Sequence, residues 1–134
     1  YIKGREFSIG IYQHDGELVV LPPTEVITQN AFFDYEAKYK PGVTEEITPA
    51  NITPAVLADM QKRVRAIYLA LNLSGLARVD FILHEESNSL YFLEINTMPG
   101  QSETSFIPQQ VRAAGMDLTT FYGILVDEEL NRKK

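Results

Sequence analysis

Cysteine is absent from the 134 residues, which excludes disulfide frameworks, thiol nucleophiles and thiolate metal sites. A chain without thiols fits a reducing compartment, so a cytoplasmic location is the expectation. Positive charge is scarce: 12 Lys and Arg against 18 Asp and Glu leave a formal charge of −6. No basic patch follows from that balance, so neither nucleic acid nor an anionic membrane is expected as a partner. No apolar run approaches the ~20 residues of a membrane span, and no signal peptide is visible. Repeats, linkers and low-complexity segments are missing as well. What remains is a composition with 45% hydrophobic residues, enough for a real core in one domain spanning 1–134. The chain opens on Tyr1-Ile2-Lys3, without an initiator Met, in a sequence that already reads as mid-fold. The expectation is a piece of a longer polypeptide.

Along the chain, Phe7, Ile9 and Ile11 alternate with polar or small residues, and His14-Asp15-Gly16 is a turn into Leu18–Leu21. That pattern predicts an antiparallel pair. Pro22-Pro23 ends it, and Glu25–Thr28 is expected as a further short strand. Residues Gln29 to Asn51 show no sustained period and predict a long loop, of a length that inside compact domains is usually functional. Thr53-Pro54 supplies an N-cap and a first-turn proline. From there Val56, Leu57, Met60, Val64, Ile67, Tyr68 and Leu71 recur at helical spacing, and Asn72 is the expected stop. A hairpin follows, then a short helix near Ile107–Ala114 broken by Gly115, and a final helix over Leu118–Asn131. The order β-β-β, loop, α, β-β, α-α predicts an α+β domain, an antiparallel sheet with helices on one face.

The chemistry concentrates in the hairpin. The turn cluster Glu85–Ser89 separates Ala77–Leu83 from Leu90–Ile95. If the hairpin is centred on Ser87, Asp80 lies opposite Glu94 and Arg78 opposite Asn96. Period-2 alternation then puts Arg78, Asp80, Glu94 and Asn96 on one face, and Val79, Phe81, Leu83, Leu93 and Ile95 on the core face. Opposed carboxylates repel unless a cation sits between them. Two carboxylates and an amide oxygen form a hard, all-oxygen donor set suited to Mg²⁺ or Mn²⁺. The bland alternative for these positions is a solvated strand face, and for Arg78 a cross-strand ion pair with Glu94.

At Leu93-Glu94-Ile95-Asn96-Thr97-Met98-Pro99-Gly100 the sequence resembles the D-alanine–D-alanine ligases of the ATP-grasp superfamily. The resemblance runs through Gly4-Arg5-Glu6-Phe7, Phe33-Asp34-Tyr35-Glu36-Ala37-Lys38-Tyr39, Arg78-Val79-Asp80 and Ser105-Phe106-Ile107-Pro108. Four motifs in the family's order over nearly the whole chain are specific where a lone E-x-N is not. The resemblance implies the C-terminal lobe of an ATP-grasp ligase with a long lid loop. It also implies the family's reaction: ATP and one D-alanine give a D-alanyl phosphate, and the amine of a second D-alanine displaces the phosphate, yielding a peptidoglycan precursor. The co-substrate would be ATP, with two Mg²⁺ or Mn²⁺ ions, and the parent protein would be a homodimer.

By the same resemblance, Asp80, Glu94 and Asn96 match the metal ligands, with Glu94 also serving the nucleotide. Arg78 matches the arginine that stabilises developing negative charge, a task suited to a fixed guanidinium. Gly100 matches a backbone N–H of the oxyanion hole that also meets substrate. Ser105 matches a hydroxyl for the carboxylate of the second D-alanine; its structural alternative is a helix N-cap. Lys38 is placed on the lid to meet the γ-phosphate or a substrate carboxylate. Tyr39 would join a hydrogen-bonded group with Glu6 and a serine that this chain does not contain, and Tyr39 favours a dipeptide over a depsipeptide product. For Lys38 and Tyr39 the alternative is an ordinary exposed loop residue. Phe32, Phe33 and Tyr35 read as packing for the lid. Tyr1 and Ile2 fall at the hinge whose backbone meets adenine, and Glu6 lies beside that nucleotide site. The family's glycine-rich phosphate loop, its ATP-gripping lysines and its first-substrate carboxylate all match positions ahead of Tyr1. The resemblance therefore implies half of an ATP cleft and negligible activity for these residues alone.

Overall fold

A computed structural model describes residues 1–28 and 44–132. Among them, an antiparallel sheet has the order β4-β3-β1-β5-β6, with β2 also paired to β1. The strands are β1 (Gly4–His14), β2 (Glu17–Val20), β3 (Thr24–Thr28), β4 (Thr44–Ile47), β5 (Ala77–His84) and β6 (Leu90–Asn96). The helices are α1 (Pro54–Ala70), α2 (Phe106–Ala113) and α3 (Leu118–Asn131).

β1 organises the sheet. It turns into β2 through Asp15 and Gly16, both at positive φ (52° and 77°), as a two-residue hairpin loop with the strands' own twist requires. β2 and β3 pair with consecutive stretches of the same side of β1, Ile11–His14 and Glu6–Ser8, and Pro22-Pro23 lies between them. Arg5 ties β1 to β3 with a fork of two 2.8 Å contacts to the buried Glu25 carboxylate. That hydrogen bond holds the guanidinium even more firmly protonated than usual.

Alternation along the two central strands decides what covers each face. Phe7, Ile9 and Ile11 of β1 and Val79, Phe81 and Leu83 of β5 pack with Met60, Val64 and Tyr68, which recur every fourth residue on α1. Thr53 caps α1 by accepting from the Val56 N–H, and Asn72 ends it at positive φ. There Asn72 N donates to Leu69 O and Leu73 N to Tyr68 O, a left-handed C-terminal closure. Tyr12 and Leu21 instead pack with Ile107, Val111 and Phe121 from α2 and α3.

Two expectations change. Helices were expected on one sheet face. The antiparallel α+β architecture stands, but α2 and α3 cover the face opposite α1, because Gly10 lets α2 approach: a Cβ there would lie 2.7 Å from Ile107 Cδ1. The predicted loop over Gln29–Asn51 contains β4. Its Thr44-Glu45-Glu46-Ile47 buries little and forms an edge, where main-chain pairing with β3 suffices without a hydrophobic alternation.

Candidate active site

The hairpin of β5 and β6 has the predicted register where it matters: Arg78 faces Asn96, Val79 faces Ile95 and Asp80 faces Glu94. Beyond Asp80 the register shifts, so Phe81 faces Phe92 and Leu93 is the additional residue of a bulge. Leu93 therefore leaves the core face assigned to it. It is substantially exposed and lines the same cavity as Asp80 and Glu94.

On the face away from α1, the polar groups are closely interlocked. Arg78 donates to Asp80 through Nε and Nη2, each at 3.0 Å. Ser8, from β1, donates to Asp80 Oδ1 at 2.6 Å. Glu94 Oε1 stands 3.8 Å from Arg78 Nη2, so the guanidinium lies between the two carboxylates and offsets their repulsion. Arg78 thus pairs mainly along its own strand with Asp80, and only at long range with Glu94. Its guanidinium carbon lies over the Phe106 ring, 5.3 Å from the centroid, a cation–π contact that helps hold it in place. Asn96 Oδ1 accepts from Met98 N at 2.9 Å, shaping the turn that leads towards Gly100.

Two hollows adjoin this cluster. One, of about 310 Å³, is lined by Glu6, Ser8, Asp80, Leu93 and Glu94 among others. The second, of about 170 Å³, is bounded by Glu46, Arg78, Gly100, Ser105 and Phe106. Arg78 and Asp80 are in direct contact, so their junction connects a carboxylate-lined hollow with one bordered by a guanidinium, a glycine and a hydroxyl. Ser105 occupies the N-cap position of α2, yet its side chain makes no capping bond. Its Oγ instead accepts from Ser102 N at 3.1 Å and lies 2.6 Å from Ser102 Oγ. Gly100 is close beside it; a Cβ on Gly100 would come within 3.0 Å of Ser105 Oγ.

The donor set suits a hard cation. Asp80 retains lone-pair capacity beyond the three hydrogen bonds it accepts, and Glu94 is largely open to solvent. Among the described residues no cluster of three or more His, Cys, Asp or Glu forms, so an amide oxygen or phosphate oxygens would complete any coordination. Glu6 lines the larger hollow with Asp80 and Glu94. Tyr1 lines a separate hollow with Lys3, Arg5 and His84, while Ile2 lies just ahead of β1. Lys38 and Tyr39, with the rest of the expected lid, lie outside the described residues. Ser8 and Glu46 carry no expectation from the sequence, and Phe106 none beyond its place in the Ser105–Pro108 motif. Ser8 was findable, since it falls opposite Asp80 once β1 is paired with β5.

Comparison with known proteins decides the family. The family described as "D-ala D-ala ligase C-terminus" matches residues 1–127. The chain belongs to this family. The D-alanine–D-alanine ligase of Parabacteroides distasonis is 45% identical over 134 residues, which are all of this chain and 40% of that protein. The D-alanyl-alanine synthetase A of Vibrio cholerae superposes with a TM-score of 0.83 at 28% identity, covering 98% of this chain and 40% of that one. The Bacillus anthracis D-alanine–D-alanine ligase complexed with ATP superposes at 0.76 with 31% identity, covering 97% of this chain and 41% of that one. The chain thus spans about two fifths of the length of the ligases it matches. Those ligases share the antiparallel sheet and three helices described above. No helix among the described residues is long and apolar enough to cross a membrane.

Proposed function

We propose that these residues are the C-terminal ATP-grasp domain of a D-alanine–D-alanine ligase, one piece of a longer cytoplasmic, homodimeric enzyme that makes a peptidoglycan precursor. One observation carries the reading. Arg78, Asp80 and Glu94 converge between a carboxylate-lined hollow and one bordered by Gly100 and Ser105, in a chain matched throughout by such ligases.

Each residue has a task that its surroundings suit. Asp80, Glu94 and Asn96 would hold two Mg²⁺ or Mn²⁺ ions, which when bound neutralise charge on the ATP phosphates. Arg78, restrained by Asp80 and Phe106, presents a guanidinium to the acyl phosphate and the oxyanion that follows attack. The Gly100 N–H adds a donor there, with no side chain to obstruct the substrate. Ser105 Oγ, uncommitted to capping α2, receives the carboxylate of the second D-alanine. Glu6, which lines the larger hollow, would serve the nucleotide, with Tyr1 and Ile2 at the adenine edge. Lys38 and Tyr39 belong to the lid, Lys38 meeting phosphate and Tyr39 favouring an amine acceptor over a hydroxyl one.

The full-length protein, given ATP, Mg²⁺ and D-alanine as donor, should release ADP with D-alanine as acceptor and much less with D-serine or D-lactate. Preference for D-serine or D-lactate would replace this reading by a ligase of different acceptor. No ADP release with any of the three would remove the ligase reading. The 134 residues alone should show negligible turnover.

A further inference from the structure

Pro22 and Pro23 lack N–H groups, and the ladders that β1 forms with β2 and β3 stop on either side of them, at Ile11 and at Ser8. The main chain of β1 therefore needs partners from elsewhere at this gap. Leu21 N supplies one by donating to Gly10 O at 2.9 Å. The others come from Gln110 on α2, which is completely buried. Its Oε1 accepts from Gly10 N at 2.9 Å, and its Nε2 donates to Ser8 O at 3.0 Å and to Thr24 Oγ1 at 3.1 Å. One side-chain amide thus bridges the gap between the two ladders, offering an acceptor to Gly10 N and a donor to Ser8 O.

The location gives this bridge a consequence. The residue whose carbonyl Gln110 holds, Ser8, is the one whose hydroxyl grips Asp80. Asp80 in turn holds Arg78, and Arg78 rests against Phe106, the first residue of the helix that carries Gln110. The contacts close a ring from α2 to β1 to β5 and back to α2. We propose that Gln110 is a positioning residue: through Ser8 it fixes Asp80 relative to the start of α2, keeping the cation-binding carboxylates in register with Ser105 and Gly100. The inference rests on the ligase reading above.

The test uses the full-length protein and Gln110→Met, which keeps the volume and removes all three polar contacts. Two readouts go beyond stability: Mn²⁺ affinity in the presence of ADP, followed by the EPR signal of free Mn²⁺, and the KM for acceptor D-alanine. In protein shown by circular dichroism to be folded, both should weaken, Mn²⁺ binding by up to roughly ten-fold, the lower end of the effect of losing a ligand's direct partner, because Gln110 acts on Asp80 through Ser8. Ser8→Ala should weaken Mn²⁺ binding similarly, and the double variant should add little to either. If Gln110→Met does not fold, Gln110→Glu is measured in its place, since it keeps the shape and an acceptor for Gly10 N but loses the amide donors. Unchanged Mn²⁺ affinity and acceptor KM in a folded variant, or full additivity with Ser8→Ala, overturns the positioning role alone. A wild-type protein with no ATP-dependent ligation of D-alanine overturns the ligase reading and this inference together.

Discussion

Arg78 embraces Asp80, two positions along the same strand, with both Nε and Nη2 at 3.0 Å, while Glu94 across the hairpin stays 3.8 Å away. The pair is mostly buried and the third charge is mostly solvated. The cluster therefore has a fixed half and an adjustable half. Substitutions in the two halves should behave differently.

In the fixed half, Arg78→Lys keeps the charge but loses the planar fork that matches the carboxylate. Turnover of the full-length protein should fall about a hundredfold or more, the usual effect of removing a preorganised donor to developing negative charge. Stability should fall by only ~1–2 kcal/mol, because Ser8 still holds Asp80. Steady-state kinetics beside thermal denaturation separates the two effects, and a variant with near-normal kcat would remove Arg78 from the chemistry.

Gly100→Ala introduces a Cβ 3.0 Å from Ser105 Oγ. The serine must shift by a few tenths of an ångström, which should raise the KM for the second D-alanine several-fold more than that for ATP. The melting temperature should barely move, since the contact is with a half-buried hydroxyl near the surface that can shift. Equal effects on both substrates would separate Ser105 from the acceptor.

Tyr68, buried on α1, donates its hydroxyl to Gly75 O at 2.6 Å, and burial pushes its pKa from 10.0 up to about 12. The folded state therefore retains a phenolic proton that the unfolded state releases. The contribution is fully present below pH 10.0 and is lost as pH rises through about 12. Tyr68→Phe should cost ~1 kcal/mol at neutral pH through loss of the hydrogen bond. It should also flatten the fall of melting temperature between pH 10 and 12. An unchanged alkaline slope would show that the phenol does not contribute to it.

Much of this molecule can be read directly from its residues, and the part that cannot has a common cause. The pairing of Arg78 with Asn96 and of Asp80 with Glu94 follows from one turn and a period of two, both local properties. The stop of α1 at Asn72 and of α2 at Gly115 is equally local, since both occupy the left-handed backbone region that ends helices. The bulge that turns Leu93 out of the core is hidden, because an added residue in an apolar run leaves the composition unchanged. The place of α2 depends on Gly10, about a hundred residues away in sequence. Gln110 gives no sequence signal at all, since it is a single polar residue in a helix whose partners lie on another element. β4 carries two glutamates and reads as loop because an edge strand need not bury either face.

On the proposed function, Glu94, with Asp80 and Asn96, would hold the divalent cations of ATP-dependent D-alanine ligation. The most direct measurement compares ADP and dipeptide formation by the full-length protein and its Glu94→Gln variant across a Mg²⁺ titration. Turnover of the variant should fall about a hundredfold or more, the scale of a lost electrostatic contributor. The melting temperature should be nearly unchanged, because Glu94 is largely exposed and its ion pair with Arg78 is long, at 3.8 Å. Wild-type turnover with wild-type Mg²⁺ dependence in Glu94→Gln would contradict this role of Glu94.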